Sequence, residues 1–155
     1  EGGVRVPFCV QWKGRLAAGK TYDHPIIQLD ILPTCLTAAD ANVSADSKVD
    51  GVDLMPYLTG KKKSPPHQTL YWRFGQQWAV RHDDWKLVAS RIDGTEPRLF
   101  NLAKDIGEGE DLSAKEPHRV QQLTALWKSW NAEQKDPAWE RADTPARPQP
   151  APNPK

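Results

Sequence analysis

The 155-residue chain has one methionine, two cysteines and no apolar run close to the ~20 residues that cross a bilayer, so no membrane partner is expected. Its net charge of +1 gives no reason to expect nucleic acid or an anionic membrane as a partner. The four histidines (His24, His67, His82, His118) show neither H-x-H nor H-x₃-H spacing and have no cysteine partner, which argues against a zinc site. No nucleophile elbow and no glycine-rich phosphate loop is present. Cys9 and Cys35 can pair only if the fold brings them together, and they are expected as two buried thiols. The composition therefore excludes several chemistries before it suggests any.

Proline, in contrast, is abundant. Of 14 prolines, six (Pro137, Pro145, Pro148, Pro150, Pro152, Pro154) fall beyond residue 136, so residues 135–155 read as a disordered Pro-rich tail. At the other end Val4, Val6, Phe8, Val10 and Trp12 alternate with Arg5, Pro7, Cys9, Gln11 and Lys13, the period of a half-buried strand. Pro25–Leu29 reads as a short extended run. Asp30 then caps a helix with Pro33 at its third position and Leu32 and Leu36 on one face. The device recurs at Asp53-Leu54-Met55-Pro56, with Leu54 and Leu58 inward and Gly60 as terminator. Residues 40–52 read as a connecting loop, and Lys61-Lys62-Lys63 as a solvated one.

Residues 69–102 have a different texture. Thr69–Phe74, Gln77–His82, Trp85–Arg91 and Arg98–Leu102 are rich in β-branched and aromatic residues. Gly75, Asp83-Asp84 and Asp93-Gly94 separate them with turn chemistry, so an antiparallel meander is expected, with Asp83 in a left-handed conformation. Pro117 opens a last helix whose Val120, Leu123, Trp127 and Trp130 form one apolar stripe, placed over the meander. On parity, the Leu70, Trp72, Phe74 row and the Trp78, Val80 row are expected beneath it.

Five segments, in order, resemble the type I sulfatases (the arylsulfatase family). Glu1-Gly2-Gly3-Val4-Arg5-Val6-Pro7 is similar to that family's E-G-G-[VI]-R-x-P, and Asp30-Ile31-Leu32-Pro33-Thr34 to its D-[IL]-[LM]-P-T. Asp50-Gly51-Val52-Asp53-Leu54 with Pro56-Tyr57-Leu58, Ala79–Leu87, and Leu99–Leu102 with Asp111-Leu112 supply the others. Asp83 replaces the family's usual Gly, and Ile106-Gly107 interrupts its Asp-Pro-x-Glu spacing.

The resemblance implies an α/β fold that becomes α+β in its C-terminal part. Residues 1–65 would end a large alkaline-phosphatase-like α/β domain, and residues 66–134 would form a small four-stranded subdomain with a C-terminal helix. It implies sulfate-ester hydrolysis by a formylglycine made in a [CS]-x-P-x-R motif, with calcium as cofactor, on a sulfated small molecule or glycan, in the periplasm or outside the cell. Neither Cys9 nor Cys35 lies in such a motif, and Ser64-Pro65-Pro66-His67-Gln68 ends in Gln where Arg is required. No catalytic or metal-binding residue is therefore assigned within this chain; the nucleophile and the calcium ligands are expected upstream of it, and the chain alone is expected to be inactive. Arg73, alternating with Trp72 and Phe74, is the candidate substrate-binding residue. The alternative is a carbohydrate-binding or non-catalytic interaction domain, in which Trp72, Trp78 and Trp85 form a stacking platform.

Overall fold

Two-residue turns shape the centre of the molecule. In the computed structural model, which describes residues 1–41, 48–90 and 96–135, β1 (Thr69–Phe74) and β2 (Gln77–His82) meet at Gly75 with φ +59°. β2 and β3 (Trp85–Ala89) meet at Asp83 with φ +52°, the left-handed conformation expected of it. The Asp83 amide donates to the Gln68 carbonyl, and Leu102 N donates to the Asp84 carbonyl, so this hairpin tip is tied to both outer strands' ends. β4 (Arg98–Asn101) completes an antiparallel sheet in the order β1-β2-β3-β4. The expected Asp93-Gly94 turn and Arg91 lie outside the described residues, as does the tail from residue 136.

The register puts Tyr71 opposite Val80, Val80 opposite Leu87, and Leu87 opposite Leu99, a single row across four strands. Helix α3 (Pro117–Ala132) lies on that row, and Val80, Leu87, Leu99 and Leu123 are all fully buried. Trp127 stacks on Trp78 at 4.5 Å and Trp130 on Tyr71 at 5.0 Å, so the α3 stripe covers the meander as expected. The β1 row is a correction. Tyr71, not Leu70, Trp72 and Phe74, faces the helix, and Phe74 is 66% exposed. Both parities of β1 carry apolar residues, so alternation alone cannot choose; pairing of Tyr71 with Val80 does.

The first sixty residues depart more from expectation. Residues 4–12 form no strand, and Val4, Val6, Phe8 and Val10 are exposed. A strand exists by hydrogen bonding to a neighbour, and no described segment pairs with this one. Gln28–Asp30 is a 3-10 turn rather than extended chain, leading into α1 (Ile31–Ala38). Pro33 does occupy the third helical position, but Leu32 is exposed while Leu36 is half-buried. In the short α2 (Met55–Leu58) Leu54 is buried, Leu58 is half-buried, and Gly60 terminates the turn with φ +76°. Both cysteines are free and exposed, not buried.

Candidate functional site

The densest polar construction joins the first part of the chain to the sheet. Asp30 is fully buried, and its carboxylate does not cap α1. Instead Oδ2 accepts from Ile27 N at 3.0 Å, Oδ1 accepts from Val52 N at 2.9 Å, and both oxygens lie 2.8 Å from His67 Nε2. A buried carboxylate demands such partners, because unpaired it would carry a large desolvation cost. One helical turn on, Thr34 Oγ1 donates to the Asp30 carbonyl at 2.6 Å and accepts from Leu54 N at 2.9 Å. Gly51 completes the joint: a Cβ there would stand 2.0 Å from the Leu29 carbonyl oxygen, so only glycine fits. The Asp30–Thr34 and Asp50–Leu54 segments are thus two halves of one lock, and His67 is the bolt from the sheet side.

Beside His67 lies a groove of about 220 Å³ lined by His24, Leu70, Arg81, Asp83 and Asp84 among others. Arg81 Nε donates to the Asp83 carbonyl at 2.9 Å, and the groove carries charges of both signs. Thr69 Oγ1 lies 2.7 Å from His82 Nδ1, but His82 Nε2 is 3.7 Å from Asp83 Oδ2, beyond a hydrogen bond. A hydroxyl–imidazole–carboxylate relay is therefore not assembled. A second groove of about 410 Å³ lies by Trp12, Arg15, Asp53 and Lys61, with the Arg15 guanidinium 5.4 Å above the Trp12 ring.

On the same face of the sheet as Leu70 and Arg81, Lys86, 4% exposed, donates to Glu1 Oε1 at 2.7 Å and pairs with Glu108 Oε1 at 2.8 Å. Burial alone would lower the Lys86 pKa, but the hydrogen bonds and charges of the two carboxylates outweigh it and raise it above the ordinary lysine value. Burial likewise pushes Glu108 up, and Lys86 together with the Glu1 α-amino group brings it below the ordinary value. Asp111 works through backbone donors. Its Oδ1 accepts from Leu99 N at 3.1 Å and Ser113 N at 2.9 Å, and these offset the burial that would raise its pKa, leaving it lowered.

Arg73 is on the α3 face, where it donates to Asn131 Oδ1 at 2.8 Å and to the Lys135 carbonyl at 2.6 Å. It closes the C-terminal end of the helix onto β1. The tryptophan platform is not built: Trp78 and Trp85 pack in the α3-facing core, while Trp72 alternates with Tyr71 and lies on the opposite face. Nor do these residues fit a cation. Among the described residues no three His, Cys, Asp or Glu side chains are grouped to hold a metal ion. Asp30 and Lys86 were missed as structural centres because a helix-start Asp and a strand Lys are ordinary in sequence, and only their burial sets them apart.

A four-stranded antiparallel sheet, a C-terminal helix across it and the interlocked Asp30 and Gly51 segments can be compared with known proteins. The family model described as N-sulphoglucosamine sulphohydrolase, C-terminal, matches residues 1–136. The chain belongs to that sulfatase family. Sulfatase YdeN of Escherichia coli K12 is 45% identical over 71 residues, covering 46% of this chain and 12% of YdeN. Arylsulfatase G of Rattus norvegicus is 31% identical over 137 residues, covering 76% of this chain and 26% of its own. The crystal structure of Ps i-CgsB in complex with k-i-k-neocarrahexaose superposes with a TM-score of 0.72 at 24% identity, over 86% of this chain and 30% of that one. The chain thus spans about a quarter or less of the curated relatives. What it supplies is the C-terminal region of a type I sulfatase.

Proposed function

We propose that this chain is the C-terminal part of an enzyme that hydrolyses sulfate esters, acting on a sulfated small molecule or glycan. The match of a sulfatase C-terminal model to residues 1–136 carries this reading. Residues 1–65 then close a large alkaline-phosphatase-like α/β domain, and the sheet with α3 forms the small subdomain beside it. A formylglycine nucleophile and a calcium ion belong to the part of the enzyme that precedes this region. The enzyme works in the periplasm or outside the cell. A sugar substrate is favoured by the model's own description, a sulphoglucosamine sulphohydrolase, and by a structural relative solved with an oligosaccharide.

The role left to this region is support. Its buried polar groups, Asp30 and Lys86, are engaged in bonds between segments, and Arg73 is engaged with the helix end. The test has two arms. The coding sequence read upstream in frame should encode a [CS]-x-P-x-R motif and acidic metal ligands, and the protein it completes should hydrolyse 4-nitrophenyl sulfate while the 155-residue chain should not. An in-frame start codon at or just before Glu1, preceded by unrelated sequence, or repurified chain that turns over the ester by itself, overturns the proposal.

A further inference from the structure

Two cations and two carboxylates line the groove beside Trp12 without pairing with each other. Its volume of about 410 Å³ lies within the ~300–1,000 Å³ usual for small-ligand sites. Arg15 and Lys61 supply the positive charge, Asp40 and Asp53 the negative. Among the described residues none of the four is in an ion pair; the one side-chain bond here is Asp53 Oδ1 accepting from Met55 N at 2.9 Å.

Local structure sets each wall. Gly14, at φ +80°, lets the chain turn so that Arg15 N and Leu16 N both donate to the Trp12 carbonyl, which brings the Arg15 guanidinium over the Trp12 ring. Asp40, at φ +50°, ends α1 in the left-handed conformation, with Ala41 N donating back to the Leu36 carbonyl. Asp53 precedes α2, and Lys61 follows the Gly60 that terminates it. Lys62 lies over the Tyr57 ring at 5.2 Å, so of the basic run it is Lys61 that lines the groove. The bond from Leu54 N to Thr34 Oγ1 holds α2 to α1, so those two walls are set before any ligand arrives.

These groups suit a sugar. A sugar hydroxyl both donates and accepts, so it satisfies a carboxylate and a cation together, and the C–H face of the ring packs on an indole. An ester sulfate accepts charge-assisted bonds from guanidinium and ammonium groups. A bare anion would have only the cations to bond, with two carboxylates of like charge beside it. Resting on the reading of this chain as part of a sulfated-glycan hydrolase, we propose that the groove binds a sulfated saccharide. The ring lies against Trp12, the sulfate meets Arg15 and Lys61, and hydroxyls donate to Asp40 and Asp53.

The 155-residue chain, labelled with nitrogen-15, is titrated separately with a heparin and a carrageenan tetrasaccharide and followed by heteronuclear NMR. At least one should shift the Trp12 indole N–H and the amides of residues 12–16, 37–41 and 53–61, leaving those of β2, β3 and α3 in place. The unsulfated counterpart should bind about tenfold more weakly, and inorganic sulfate should leave the indole signal unmoved. Arg15→Gln and Lys61→Gln should each weaken binding about fivefold, whereas Lys63→Gln, in the same basic run but outside the groove, should not. Trp12→Ala should abolish binding; where it disturbs the fold, the variants of the two exposed cations decide. No shift with either tetrasaccharide, equal binding of the unsulfated sugar, or matching shifts from sulfate alone overturns the proposal. Equal losses in Lys61→Gln and Lys63→Gln do so too, by reducing the effect to the charge of the run. Hydrolysis of 4-nitrophenyl sulfate by the completed enzyme is read separately, so an empty groove leaves the proposed function standing, and a filled groove without hydrolysis refutes that function alone.

Discussion

Replacing Asp30 by Ala should open the joint between the first sixty residues and the sheet. The carboxylate serves three partners at 2.8–3.0 Å in a fully buried position. Its removal strands the Ile27 and Val52 amides and the His67 imidazole. A buried donor left without its acceptor costs about 1–3 kcal/mol, and bonds to a charged group are worth about 1.5–3 kcal/mol each, so the loss should be about 3–6 kcal/mol. That is a large part of the ~5–15 kcal/mol that holds a typical domain. The damage should be local. Amide exchange in peptides covering residues 27–36 and 50–58 should accelerate strongly, while β2, β3 and α3, whose core is Val80, Leu87, Leu99 and Leu123, keep their protection. Asp30→Asn, retaining one acceptor oxygen, should fall between. Unchanged exchange in residues 27–58 of Asp30→Ala would refute the argument, because the three bonds would then contribute nothing.

Leu123→Ala should cost about 3–5 kcal/mol in urea unfolding, since Leu123 is fully buried against three strands and the site cannot collapse. Arg73→Ala should cost about 1–2 kcal/mol through its lost bonds to Asn131 and Lys135. In the full enzyme, a changed relative kcat/KM across anionic glycan substrates would add substrate contact to that role; unchanged ratios leave the helix clamp alone. The Lys86–Glu108 pair sets a pH window. Glu108 is lowered on folding, so its contribution is full above its unfolded value of about 4.3 and lost as pH falls through the folded one; Lys86 is raised, so its contribution is full below about 10.4 and lost as pH rises through its folded value. The Tm difference between wild type and Glu108→Gln should therefore be flat between those limits and shrink at both ends.

Local chemistry made the C-terminal half legible. Gly75 and Asp83 mark turns because few other residues take positive φ at low cost, and the spacing of Val120, Leu123, Trp127 and Trp130 admits only one helical face. Four strands and a covering helix follow from those signals almost without long-range information. The face of β1 did not, since Leu70 is buried on the face away from α3 while Tyr71 packs beneath the helix, and the cross-strand register assigns them. The alternating Val4–Trp12 run has the pattern of a strand, yet pairing needs a partner strand, and none among the described residues pairs with it. Motif order identified the sulfatase family from the sequence, while the reason for the motifs is tertiary. Asp30 meets Val52 and His67, Gly51 passes against Leu29, and Lys86 reaches Glu1 and Glu108. Those contacts join residues 22 to 85 positions apart, and hydrogen bonds between side chains and distant backbone carry no local periodicity. A helix-start aspartate and a strand lysine therefore look ordinary until the fold buries them.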